Sequence, residues 1–145
     1  MSGDYGKEVL RRVLERERGT WREHLRAQYS PWFDSLVWGF QCYDGWRELI
    51  ENLTAEIAEI VGGPAGAPEM KIVQIKEKFG GLRYYVRHVP ERHSDAVYAA
   101  VNRAGQRSFE VCEVCGRPGR LVKSIGYWHT ACSEHEDPGA FKWRK

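Results

Sequence analysis

The stretch CEVCGRPGRLVKSIGYWHTACSEH, Cys112–His135, decides how the chain is read. Two residues separate Cys112 from Cys115 and Cys132 from His135, and 16 residues separate Cys115 from Cys132. Zinc takes four sulfur or nitrogen donors in a tetrahedron, and closely spaced ligand pairs supply them. A Cys-x-x-Cys turn presents two thiolates from one tight knuckle, and Gly116 relaxes the backbone behind it. The segment RLVKSIGYWH, residues 120–129, reads as a small hairpin turning near Ser124-Ile125-Gly126. Thr130 reads as the N-cap of a helix start, which would put Cys132 and His135 three apart on one face. Knuckle, hairpin and helix start make a treble-clef-like module. A zinc ribbon is the nearest alternative, and it would place the second pair on another knuckle. With Cys112, Cys115, Cys132 and His135 all ligating, no position is left for water, so the expected cofactor is structural Zn2+. His129 is an alternative to His135. A redox Cys-x-x-Cys would leave Cys132 and His135 unexplained. Cys42 stands apart and reads as a buried free thiol.

Upstream, Val9, Leu10, Val13 and Leu14 fall at helical spacing after Asp4, a candidate cap. Gly19-Thr20 marks a break, and Trp21, Leu25 and Tyr29 continue a stripe that Ser30-Pro31 ends. Residues 32–43 are aromatic-rich, and a short buried strand is expected at Leu36–Gln41. Asp44 reads as an N-cap for a helix carrying Trp46, Leu49, Ile50, Leu53, Ile57, Ile60 and Val61 inward. Gly62-Gly63-Pro64 stops it, and residues 62–68 read as a flexible connection. In residues 70–79, Val73, Ile75 and Phe79 share one strand face, with Lys76 and Lys78 on the other. Gly80-Gly81 fits a two-residue hairpin turn before the partner strand, residues 82–89. A helix from Ser94 or Asp95 to about Phe109 follows, with Val97, Val101 and Ala104 inward. The predicted fold is α+β: N-terminal helices packed on a β-hairpin over residues 1–109, with the zinc module over residues 110–145, in one compact unit.

The chain has 145 residues, enough to bury a core without disulfides. Apolar residues make up 42% and charged residues 29%, which argues against disorder. No apolar run is long enough to span a membrane. MSGDYGKEVLRR at the start lacks a signal-peptide core, so the cytoplasm is the expected compartment. Net charge is only +2, but residues 30–66 hold one basic and six acidic groups between basic flanks. This suggests a two-sided surface on which any anionic partner would meet the C-terminal half, the alternative being an ordinary solvated, mixed surface.

Three strings carry a resemblance: Asp44-Gly45-Trp46, Lys76-Glu77-Lys78-Phe79-Gly80-Gly81-Leu82-Arg83, and Cys112-x-x-Cys-Gly-x-Pro-Gly to Trp128-x-x-Thr-x-Cys-x-x-His135. Over residues 38–135 the chain resembles a group of small phage and prophage zinc proteins. The resemblance implies a mobile-element setting and a role against host defences. On that reading the chain is a non-catalytic zinc protein that binds a host or phage protein, and Trp32, Phe33, Trp38 and Trp46 are the candidate contacts. The alternative is nucleic-acid or nucleotide binding. Lys76, Lys78, Arg83, Tyr85 and Arg87 on the hairpin, extended by Arg117 and Arg120, would meet phosphates and bases if the two strands present them on one face. A third reading is a treble-clef nuclease using His129, which lacks the accompanying asparagine and second histidine. There is no phosphate loop, no dinucleotide glycine fingerprint and no His-Glu-x-x-His.

Overall fold

The computed structural model describes residues 3–124 and 126–137. Apolar residues at helical spacing give α1 (Gly3–Glu17), with Asp4 inside its first turn rather than capping it. Gly19 at φ 77° breaks the helix, and Thr20 restarts the chain by accepting a hydrogen bond from the Arg22 N–H. Helix α2 (Trp21–Gln28) follows.

A buried ion pair joins these helices. Arg26 Nε donates to Glu17 Oε1 at 2.5 Å and Nη2 to Oε2 at 3.2 Å. The same guanidinium donates to the carbonyls of Phe33 at 2.8 Å and Leu36 at 3.0 Å. Arg26 thereby holds residues 29–38 as a series of turns. The expected strand at Leu36–Gln41 is cut to β1 (Phe40–Gln41). Glu17→Ala would leave that guanidinium buried without its counter-ion, so it should cost about 3–5 kcal/mol in urea unfolding. A loss below about 1 kcal/mol would mean the pair is no more than a surface contact.

Asp44–Trp46 forms one 3-10 turn leading into α3 (Arg47–Val61). Asp44 does not cap it. Its carboxylate accepts from Trp21 Nε1 at 3.0 Å and Arg22 Nη1 at 2.7 Å, tying α2 to the start of α3. Residues 62–68 are not wholly flexible, since Gly63–Gly66 makes a helical turn, α4, with proline in its first positions.

The main sheet has three strands. Strand β1 pairs parallel with β2 (Lys71–Lys78), and β2 pairs antiparallel with β3 (Gly81–Arg87). A bulge between Ile72 and Gln74 breaks the expected alternation. Ile72 and Ile75 therefore point inward, and Val73 is only half-buried. Phe79 does not belong to the strand's inner face. It is 62% exposed and sits with Gly80 at the hairpin turn, since Lys78 pairs with Gly81. Both turn residues have positive φ, 52° and 86°.

Helix α5 (Ser94–Ser108) packs against α3 and against β3, the edge strand of the sheet. It buries Val97 and Ala100, while Val101 and Ala104 are partly buried. The core between helices and sheet holds Trp32, Phe33, Trp46, Ile50, Ile57, Ile72 and Ile75. Inside it, Thr54 Oγ1 donates to the Ile50 carbonyl and bonds the Tyr84 hydroxyl at 2.8 Å. Burial pushes the Tyr84 phenol well above its ordinary range, so it stays a neutral hydrogen-bonding group. No helix among the described residues is long and apolar enough to cross a membrane.

Candidate metal centre

After α5 the chain makes a turn at Cys112–Cys115, then β4 (Arg120–Ser124) and β5 (Tyr127–Ala131), paired antiparallel. Ile125, expected in the turn between them, lies outside the described residues, as do residues 138–145 of the expected module. The first turn closes with the Gly116 N–H on the Cys112 carbonyl at 2.9 Å, and Gly116 has φ 81°. The second pair does not open a helix among the described residues. Thr130 is a strand residue opposite Leu121, and its hydroxyl donates to the Gly80 carbonyl at 2.7 Å. Cys132 and His135 instead sit on a second turn, closed by the His135 N–H on the Cys132 carbonyl at 3.0 Å. Among the described residues both ligand pairs therefore sit on turns at the ends of a two-stranded hairpin.

The donor atoms of Cys112, Cys115, Cys132 and His135 all lie within 4.8 Å of one another. Cys115 and Cys132 sulfurs are 3.6 Å apart, His135 Nδ1 is 3.2 Å from Cys132 Sγ, and it is 3.6 Å from Cys112 Sγ. A tetrahedron built on zinc bond lengths has edges of about 3.8 Å between sulfurs and about 3.6 Å between sulfur and nitrogen. The four side chains therefore fit a single tetrahedral ion, with Nδ1 as the imidazole donor. The sulfur separation is far too long for a disulfide.

Electrostatics point the same way. Burial pushes the Cys112 thiol up, but backbone N–H groups of Cys132, Cys115 and Val114 outweigh it and leave it below its ordinary value. Desolvation and the neighbouring Cys112 and Cys132 sulfurs push Cys115 up to about 11. One thiolate is thus favoured, and further thiolates crowded beside it need a cation to hold them ionised.

The module is keyed into the body by the residues of the two upstream strings. The Gly45 N–H donates to the Glu113 carbonyl at 2.8 Å, and the Tyr43 N–H donates to Glu113 Oε2 at 3.1 Å. A Cβ on Gly45 would lie 2.1 Å from the Cys112 carbonyl oxygen. Trp46 Nε1 donates to the Val111 carbonyl at 3.0 Å. Gly80 lies against Leu121 and His129, where a side chain would meet Leu121 Cδ1 at 2.4 Å.

Other expected site residues sort as follows. His129 is fully buried, bonds the Glu136 carbonyl through Nε2 at 2.8 Å, and is not among the four clustered donors. It is therefore neither the fourth ligand nor placed to meet a nuclease substrate. Cys42 is buried in the main core, away from the cluster. Trp32 and Phe33, on the turns of residues 29–38, and Trp46, on the 3-10 turn before α3, are all fully buried core residues and offer no contact surface. Trp38 alone of that set is exposed, at 52%.

The hairpin cations do share a face. Lys76 stands opposite Arg83 and Lys71 opposite Arg87, while the alternate inward positions hold Ile75, Tyr84 and Leu82. Tyr85 lies on the same outer face, opposite Gln74, and Lys78 continues it to the turn. Arg117 and Arg120 do not extend it as bare charges, since they pair with Glu134 at 3.0 Å and Glu136 at 2.9 Å.

Sequence reasoning missed the hairpin tip. Phe79 meets Trp128 edge to face at 6.2 Å, both exposed, with Lys78 Nζ 5.8 Å from the Phe79 ring and Lys123 Nζ 4.5 Å over Trp128. The signal that finds it is the turn register. A Lys78–Gly81 pair makes Phe79-Gly80 the central dipeptide and lifts Phe79 off the strand. Comparison with protein-family models, with curated proteins and with solved structures finds no match for the chain.

Proposed function

We propose that the chain is a non-catalytic, zinc-stabilised cytoplasmic protein that binds single-stranded nucleic acid on the outer face of the β2–β3 hairpin. Three thiolates and an imidazole in a closed tetrahedron suit structural Zn2+. The observation that carries the binding reading is the pairing of like charges: Lys76 faces Arg83 and Lys71 faces Arg87 across the strands. Like charges directly opposite destabilise a sheet. Among the described residues none of these four, nor Lys78, has an ion-pair partner. Such a face is best explained by a polyanion that supplies the missing charge. Tyr85 on this face is 42% exposed, and Phe79 and Trp128 at the hairpin tip are 62% and 42% exposed, which suits unpaired bases that stack.

Fluorescence anisotropy of a labelled oligonucleotide across a salt series tests this. Each phosphate contact contributes about 0.7 to the slope of log affinity against log salt for a single strand. Lys76→Ala with Arg83→Ala should lower that slope by about 1.4. A wild-type protein that binds no oligonucleotide at low salt, or a double variant with unchanged slope, would refute the proposal.

A protein partner is the second reading, favoured by Trp38 alone. It stands beside a cleft of about 300 Å3 with Arg16, Arg22 and Tyr43. The resemblance to phage and prophage proteins supports a host or phage protein there, with a role against host defences. An oligonucleotide-independent complex that Trp38→Ala abolishes would favour it.

A further inference from the structure

A cleft of about 600 Å3 lies between β3 and α5, beside the basic face. Tyr98, Asn102 and Gln106 are spaced four residues apart, so they form one stripe on α5. Arg83 and Tyr85 face them from β3, two residues apart and on the same side of the strand. Tyr85 and Tyr98 are half-exposed, 42% and 44%. The Arg83, Asn102 and Gln106 side chains make no hydrogen bond or ion pair among the described residues. No carboxylate among the described residues lines the cleft.

The backbone rules out one class of occupant. The Leu82 N–H, on the outer edge of β3, already donates to Ser108 Oγ at 2.9 Å. The Leu82 carbonyl lies only 3.4 Å from where a Cβ on Gly105 would stand. At the other end the Tyr98 hydroxyl reaches the Val86 carbonyl at 3.5 Å. Helix α5 thus covers the strand edge, and an added peptide strand would have to displace it. What stays open is a slot whose exposed lining presents the Tyr85 and Tyr98 rings, two amides and one cation, over a floor that includes Tyr84 and Phe109. That combination matches a nucleotide: rings stack on a base, amides bond its polar edge, and a guanidinium holds the adjoining phosphate.

We propose that this cleft holds one unstacked base of the bound single strand, against Tyr85 and Tyr98, with Asn102 and Gln106 on its edge and Arg83 on its phosphate. The inference rests on the nucleic-acid reading above. Its test uses the zinc-loaded chain and a labelled oligonucleotide with Tyr98→Ala/Asn102→Ala, both on the exposed face of α5. The double variant should lose at least about tenfold in affinity, the scale of one lost base stack, with its salt slope unchanged. An oligonucleotide with abasic sites replacing its bases should bind wild type and double variant equally. If wild type binds and needs Lys76 and Arg83 while Tyr98→Ala/Asn102→Ala has no effect, the cleft proposal falls and the basic face stands. If wild type binds no oligonucleotide, both fall. Mononucleotide that displaces the strand at equal concentration would overturn the assignment to a strand.

Discussion

Chelating the metal should strip amide protection from residues 110–137 and, in the same step, from Tyr43 and Gly45, whose N–H groups donate to Glu113. The ion's apparent binding energy in small zinc modules is about 10–16 kcal/mol, which is also folding energy. Without it, four donors within 4.8 Å of one another lose the charge that holds them together. The hydrogen bonds that key the module into the body then lose their acceptors. These are the Glu113 carbonyl for Gly45 and the Val111 carbonyl for Trp46. The Thr130 hydroxyl likewise leaves the Gly80 carbonyl. Helices α1 and α2 should keep their protection, because Glu17–Arg26 and the Trp21–Asp44 contact do not involve the module. Hydrogen exchange followed residue by residue in chelator is the measurement. Unchanged protection over residues 110–137 would mean that the tetrahedron does not hold the fold.

Gly45→Ala is expected to be nearly as damaging, by a steric route. The new methyl would stand 2.1 Å from the Cys112 carbonyl oxygen and 2.4 Å from the Glu113 carbonyl oxygen. Neither is the end of a flexible side chain, so the knuckle itself must move. Overpacking ordinarily costs about 1–3 kcal/mol, and rigid backbone on both contacts puts this change at the top of that range or beyond. Weaker metal affinity should accompany the loss, since the displaced backbone carries Cys112. Gly6→Ala is the control. It lies in α1 with nothing within 4 Å of the added carbon, and helix propensity favours alanine there. Equal stability of Gly45→Ala and wild type in denaturant titration would contradict the close approach.

The ligand set was legible because its signal is local: two residues between partners, read directly from the chain. The setting of the second pair was not. Thr130 before Cys132 looks like a helix cap, but pairing with Leu121 and a bond to Gly80, fifty residues away, hold it in a strand. Periodicity found β2 and β3 but not the bulge at Ile72–Gln74, which one extra residue creates without changing composition. The aromatic run at residues 32–43 showed only that much apolar area needed a place. Whether that place was core or surface depended on Arg26, whose bond to Glu17 nine residues earlier matches no helical or strand spacing. The convergence of Lys76, Lys78, Arg83, Tyr85 and Arg87 was conditional on strand register, and the register supplies it.

Gly45 and Gly116 meet almost backbone to backbone, the carbonyl oxygen of one 3.2 Å from where a Cβ of the other would stand. A seam that bare tolerates no spacer and no substitute floor. The C-terminal sulfurs are therefore poor material for transplanting onto another scaffold as a self-sufficient finger. An indole donor 65 residues upstream of its acceptor carbonyl has become part of the metal's housing.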